Sequence, residues 1–160
     1  MENLITVFKN IKDINQPFFA PCLSILERIR NGKSRDLVNK IRFEDDKTKR
    51  NVLKQGLPSV CFSGQFKRRV DAELTMHSGL MCLDFDGYNT VELMAEAKDT
   101  LSKDKYTYSV FVSPSGKGLK LLGRIPREPN NHASYFLSLQ DYYDSPHFDV
   151  TSKNISRVCY

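Results

Sequence analysis

Residues 22–32, CLSILERIRNG, alternate in a helical rhythm: Cys22, Leu26 and Ile29 recur on one side, and Leu23 and Ile25 widen the apolar face. Gly32 closes the segment. The spacing predicts further helices over 34–42 and 46–55, then a strand, PSVCFSGQF at 58–66, entering a turn at Gly64. From residue 80 the rhythm changes. LMCLDFDG is a strand, and TVELMAEAKDTLSK at 90–103 is an amphipathic helix with Val91, Met94, Ala97 and Leu101 on one side. YTYSVFVS at 106–113 is rich in strand-forming residues. SPSGKG at 113–118 is a tight connector and LKLLGRI at 119–125 another strand. A helix over 131–144 has Asn131 available as its cap, and HFDVT at 147–151 reads as a last strand.

The order from residue 80 is strand–helix–strand–strand–helix–strand, the split βαβ arrangement of ferredoxin-like and RNA-recognition-type α+β folds. Its first strand lies centrally, between the third and fourth, with both helices on one face. Alternation then turns Leu83 and Phe85 toward the helices and leaves Asp84 and Asp86 on the open face. Lys120 and Arg124 share that face, and Asp149 lies one strand away.

Two carboxylates two residues apart on a strand stand close enough to share divalent cations. Hard oxygen donors select Mg²⁺ or Mn²⁺, and Asp149 would supply a third. In the connector, Gly116 and Gly118 let backbone amides approach an anion; Ser113 and Ser115 add hydroxyls, and Lys117 and Lys120 add charge. The stretch is not a Walker A loop, because Phe111 stands where its first glycine belongs. Arg157 could pair bidentately with phosphate. A glycine-bearing hairpin turn with exposed lysines would explain the connector equally well if it stood alone.

Charge sharpens the picture. Residues 28–69 hold 13 Lys or Arg against 4 Asp or Glu, while the rest of the chain holds 11 against 15. A basic segment beside an acidic site suits a polyanion held near metal ions, and Lys67, Arg68 and Arg69 are its densest run. With 160 residues and 40% apolar composition, the chain reads as one ordinary globular domain. No apolar run reaches the roughly 18 residues of a membrane span, and no basic start precedes a long apolar region, so a cytoplasmic place without membrane partners is expected. The four cysteines and three histidines are scattered, against a structural zinc site.

Two enzyme classes use such an aspartate pair. A haloacid-dehalogenase-type phosphatase would follow its second aspartate with Gly-Thr, but Tyr88 occupies the threonine position and no later acidic motif appears. MHSGLMCLDFDG, VSPSGKGLKLL and FDVTSKNISRVCY, with LPSVCFSGQFKRR upstream, together resemble the VirE N-terminal-like family of the archaeo-eukaryotic primase superfamily. The resemblance spans about residues 55–160. It implies a primase-type core with an added N-terminal α/β unit, here 56–160 behind a basic helical part at 1–55, forming the front of a longer protein.

The resemblance also implies roles. Asp84, Asp86 and Asp149 hold Mg²⁺ or Mn²⁺. Ser113, Ser115, Gly116, Lys117, Gly118, Lys120 and Arg157 surround a nucleoside triphosphate, and Lys67, Arg68 and Arg69 contact nucleic acid. Lys120 stands where many members of the superfamily carry histidine. The activity implied is template-directed primer synthesis or extension on single-stranded DNA, with a helicase-type module in the same or a partner chain. A nucleic-acid-binding module that has lost catalysis is the alternative.

Overall fold

The computed structural model describes residues 3–160 and contains five helices and three small antiparallel sheets. The first sheet has the order β2-β1-β3, from β1 (Leu4–Phe8), β2 (Phe18–Pro21) and β3 (Ser59–Cys61). Between β2 and β3 come α1 (Cys22–Arg30), α2 (Arg35–Phe43) and α3 (Lys47–Lys54). The 1–55 part is thus not purely helical: it opens with a hairpin. A second sheet pairs β4 (Gly64–Phe66) with β5 (Leu74–His77). The third has the order β6-β8-β7, from β6 (Leu80–Asp86), β7 (Thr107–Val112) and β8 (Gly118–Arg124), with α4 (Val91–Ser102) between β6 and β7. After β8 the chain enters α5 (His132–Tyr143). No helix among the described residues is long and apolar enough to cross a membrane.

The expected central position of β6 holds on one side through β8 and on the other through a single bridge. Phe85 pairs with Phe148, Asp86 N–H donates to His147 C=O, and Asp149 N–H donates to Asp84 C=O at 2.9 Å. The predicted strand at 147–151 goes no further. Asp149 turns its carboxylate onto Thr151 N–H, Thr151 Oγ1 and Ser152 Oγ, and this local turn competes with an extended ladder.

Alternation along β6 sorts its side chains between two cores. Met81, Leu83 and Phe85 pack with Leu119 and Leu121 of β8 against Met94 of α4 and Phe136 and Leu139 of α5. Each such fully buried side chain contributes roughly 1.5–3 kcal/mol relative to exposure. Ala97 and Leu101 pack against the same cluster, whereas Val91 is exposed. Leu80 and Cys82 look the other way and join Leu122, Ile5, Val7, Cys22, Ile25, Val60 and Phe62. The aspartate-bearing face is therefore not open. The N-terminal sheet and α1 cover much of it, and Asp84 is only 6% exposed.

Local chemistry sets several boundaries. Thr90 caps α4 by accepting from Leu93 N–H, and Asp46 caps α3 by accepting from Lys49 N–H. Asn131 does not cap α5; its side chain donates to Glu128. Gly64 begins a strand instead of turning, pairing with His77, and a Cβ there would overlap Met76 C=O of the neighbouring strand.

Candidate functional site

The sequence-predicted carboxylates meet at the junction of β6, β8 and the 148 bridge. In the ladder Asp84 faces Lys120 and Asp86 faces Gly118. Lys120 Nζ lies 2.7 Å from Asp84 Oδ1, with both side chains nearly buried. Arg157 donates through Nη2 to Asp84 Oδ2, and the same nitrogen stands 3.6 Å from Asp149 Oδ2. Asp84 is thus neutralised from two sides, as a buried carboxylate must be.

Asp86 is different. It is exposed, and no hydrogen-bond or ion-pair partner of its side chain occurs among the described residues. Partial burial and the Asp84 charge push its carboxyl above the usual range. For Asp149, burial works upward, but hydrogen bonds from Thr151 and Ser152 and the Arg157 charge hold it below the ordinary value. For Lys120, burial opposes the charge; the Cys159 and Cys82 sulfurs and the Asp84 carboxylate outweigh it and raise its pKa.

The connector is folded on itself more than its glycines suggest. Ser113 N–H donates to Gly118 C=O, Gly116 N–H donates to Ser113 C=O, and the Ser113 and Ser115 hydroxyls are 3.1 Å apart. Gly116 has φ +72°, so it supplies the turn conformation while its amide is spent internally. Gly118 plays the other role: its missing Cβ makes room for the Asp86 carboxylate. Lys117 is exposed at the tip.

Two cations not singled out beforehand join the site. Lys54, at the end of α3, sits near enough to feel Lys120, Asp86 and Asp84; its pKa falls through partial burial and the Arg50 and Lys120 charges. Arg42 of α2 crosses to the connector, with Nε 3.4 Å from Pro114 C=O. Nothing local to positions 42 and 54 ties them to residue 84; only the surplus of basic residues over 28–69 pointed there. Of the expected nucleic-acid contacts, Lys67 and Arg68 are exposed and Arg68 Nε bonds Asn15, while Arg69 lies beside Arg157.

Beyond the connector opens a groove of about 940 Å³ between α1, α2 and the first sheet, lined in part by Arg28, Arg35, Arg42, Phe111, Pro114 and Tyr160. On the far side of Asp86, Tyr88 stacks on His147 with ring centroids 4.1 Å apart, and His147 Nδ1 lies 2.9 Å from Asp86 C=O.

A family comparison matches residues 52–160 to the BT4734-like, N-terminal domain. The chain belongs to this family. The match runs from the end of α3 to the last residue and so contains Lys54, the three aspartates, the connector and Arg157. It corrects the resemblance to the VirE N-terminal-like family, which is a different one. Comparison with curated proteins and with solved structures returned no match.

In this BT4734-like N-terminal domain, no three His, Cys, Asp or Glu side chains among the described residues form a ready-made metal cage. The donor chemistry nevertheless fits a hard cation. Asp84 and Asp86 offer carboxylate oxygens two residues apart on β6, Asp149 is tied to Asp84 by its backbone N–H, and the Arg157 guanidinium already holds a positive charge between Asp84 and Asp149. Arg157 and a divalent cation would compete for that place.

Proposed function

We propose that this domain catalyses template-directed nucleotidyl transfer, making or extending a primer from nucleoside triphosphates on single-stranded DNA. The observation that carries the reading is the convergence of Asp84, Asp86 and Asp149 with Lys120 and Arg157 at one end of β6. The strand order β6-β8-β7, with the 148 bridge on the open edge of β6, follows an RNA-recognition-type arrangement and supports a primase-like core.

Asp86, Asp84 and Asp149 would hold Mg²⁺ or Mn²⁺. A metal held there would supply the Lewis acidity to activate the primer 3′-hydroxyl and the charge to offset the departing pyrophosphate. Lys117, Lys120, Arg157 and the Ser113 and Ser115 hydroxyls hold the triphosphate in line with that hydroxyl, a positioning and charge-stabilising task. No side chain acts as a covalent nucleophile. The groove lined by Arg28, Arg35, Arg42 and Phe111 suits a single strand, pairing cations with an aromatic face. A phosphatase of the haloacid-dehalogenase type is disfavoured, since β6 lies among antiparallel partners instead of in a parallel sheet.

The full natural protein, a primed single-stranded template, labelled nucleotides and Mn²⁺ test the reading. Extension should vanish in Asp86→Asn and fall in Lys120→Ala. The engagement of both Asp84 oxygens by cations favours a second reading, a binding module without catalysis. That reading wins if strands bind with steep salt dependence, binding survives Asp86→Asn, and neither metal yields extended product.

A further inference from the structure

We infer that Arg42 couples the groove to the connector, so that a strand bound in the groove tightens triphosphate binding at the connector, and the reverse. The identity of the two ligands rests on the nucleotidyl-transfer reading; the bridge between their sites does not.

Ile41 is fully buried and anchors that end of α2, which fixes the root of the Arg42 side chain. The side chain itself is exposed and lines the groove beside Arg28, Lys33 and Arg35. It reaches a partner 72 positions away in sequence: Nε donates to Pro114 C=O at 3.4 Å. Its Cγ, Cδ and Nε pass 3.4–3.7 Å from the point where a Cβ on Gly116 would stand, so the stem lies across the connector's turn. Pro114 belongs to both places, lining the groove and opening the turn.

The bond to Pro114 is the only hydrogen bond of the Arg42 side chain among the described residues. No carboxylate among them pairs with Arg28, Lys33, Arg35 or Arg42. Glu27 is the only acidic side chain among the described lining residues, so the groove favours a polyanion. Both Nη groups of Arg42 are left to a ligand, and together they hold a phosphate through two parallel N–H bonds. On the connector side the turn is already closed, with Gly116 N–H on Ser113 C=O and Ser113 N–H on Gly118 C=O. Whatever holds Arg42 therefore holds Pro114, with Ser115 and Lys117 behind it. The first ligand to arrive orders the Arg42 side chain, and the second meets it already ordered; such coupling is reciprocal.

Calorimetry on the full natural protein tests the coupling, with Mn²⁺, a thymidine 12-mer and the α,β-methylene analogue of dATP, which cannot be turned over. In the wild type, saturating 12-mer should raise the affinity for the analogue about fivefold or more, and in Arg42→Ala that ratio should fall to about one. Arg42→Lys keeps a point charge for the strand but loses the planar fork, so it should hold most of the strand affinity while losing the coupling. Arg28→Ala removes a groove cation that makes no hydrogen bond to the connector. It should need more 12-mer to saturate yet leave the ratio intact. Equal ratios in wild type and Arg42→Ala, or no coupling in the wild type, would overturn the inference and leave nucleotidyl transfer standing. A wild-type protein that binds neither ligand sinks both.

Discussion

The Asp86 carboxylate lies over the Cα of Gly118, so close that a methyl group at position 118 would overlap Asp86 Oδ1 and crowd Phe85 C=O at 2.8 Å. The glycine there serves the neighbouring strand, not its own turn. Gly118→Ala should push Asp86 out of register with Asp84 and destabilise the domain by roughly 1–3 kcal/mol. Mn²⁺ affinity and a urea melt, measured on the same preparation, check both effects. Unchanged metal affinity would separate Asp86 from the site.

Asp84 and Lys120 form a nearly buried pair, and removing one partner should cost more than removing both. Lys120→Met leaves Asp84 with Arg157 alone, and a loss on the order of 3 kcal/mol is expected. The double variant Lys120→Met/Asp84→Leu should recover much of it. A double-mutant cycle from chemical denaturation reads the coupling. Simple additivity of the two losses would mean that the pair is not coupled.

His77 and His132 make a buried contact at 3.1 Å between Nε2 and Nδ1. Gly79 N–H donates to His77 Nδ1, so the proton of His77 sits on Nε2 and is donated to His132. Burial, then the neighbouring His77, depresses His132 from its ordinary 6.5 to about 4; burial and Arg127 lower His77 as well. The folded state therefore resists protonation that the unfolded chain accepts. Stability from this pair is complete above about pH 6.5 and drains away as the pH falls toward 4, by on the order of 2–3 kcal/mol. Melting temperature against pH should show this slope, and His132→Gln should flatten it.

Thr6 is fully buried and links the first two sheets. Its hydroxyl donates to Gly64 C=O and accepts from Phe66 N–H, each at 2.8 Å. Thr6→Val keeps the shape but orphans both backbone groups, and a loss of about 1–3 kcal/mol is expected. Thr6→Ser should retain most of the stability in the same melt.

The run from Leu80 to Tyr143 was legible because its elements are long enough to show a period: alternation in β6 and β8, helical spacing in α4 and α5. β1 and β2 were not, since four or five residues of LITVF and FFAP carry too little pattern. That Asp84, Asp86 and Lys120 lie on one face of paired strands was legible from residue type and strand alternation. What escaped the sequence was the cover. The N-terminal sheet and α1 pack on Leu80 and Cys82 of that face and Arg157 lies on Asp84, and alternation tells which face a side chain takes but not what will lie on it. The final strand failed for a different reason: Asp149 satisfies Thr151 and Ser152 locally, a competition that residue identity hints at and geometry decides.

The bridge between Val60 and Cys159, with hydrogen bonds in both directions at 2.8 Å, fixes when Arg157 can arrive. During synthesis, β6 and β8 emerge from the ribosome well before residues 157–159. Until then Asp84 has only Lys120 for company, and the N-terminal sheet cannot close over it without leaving charge exposed to an apolar interior. The segment carrying Arg157 and Cys159 thus acts as a closing stitch. A chain cut before Arg157 would retain the residues of every helix and strand but lack a partner of Asp84.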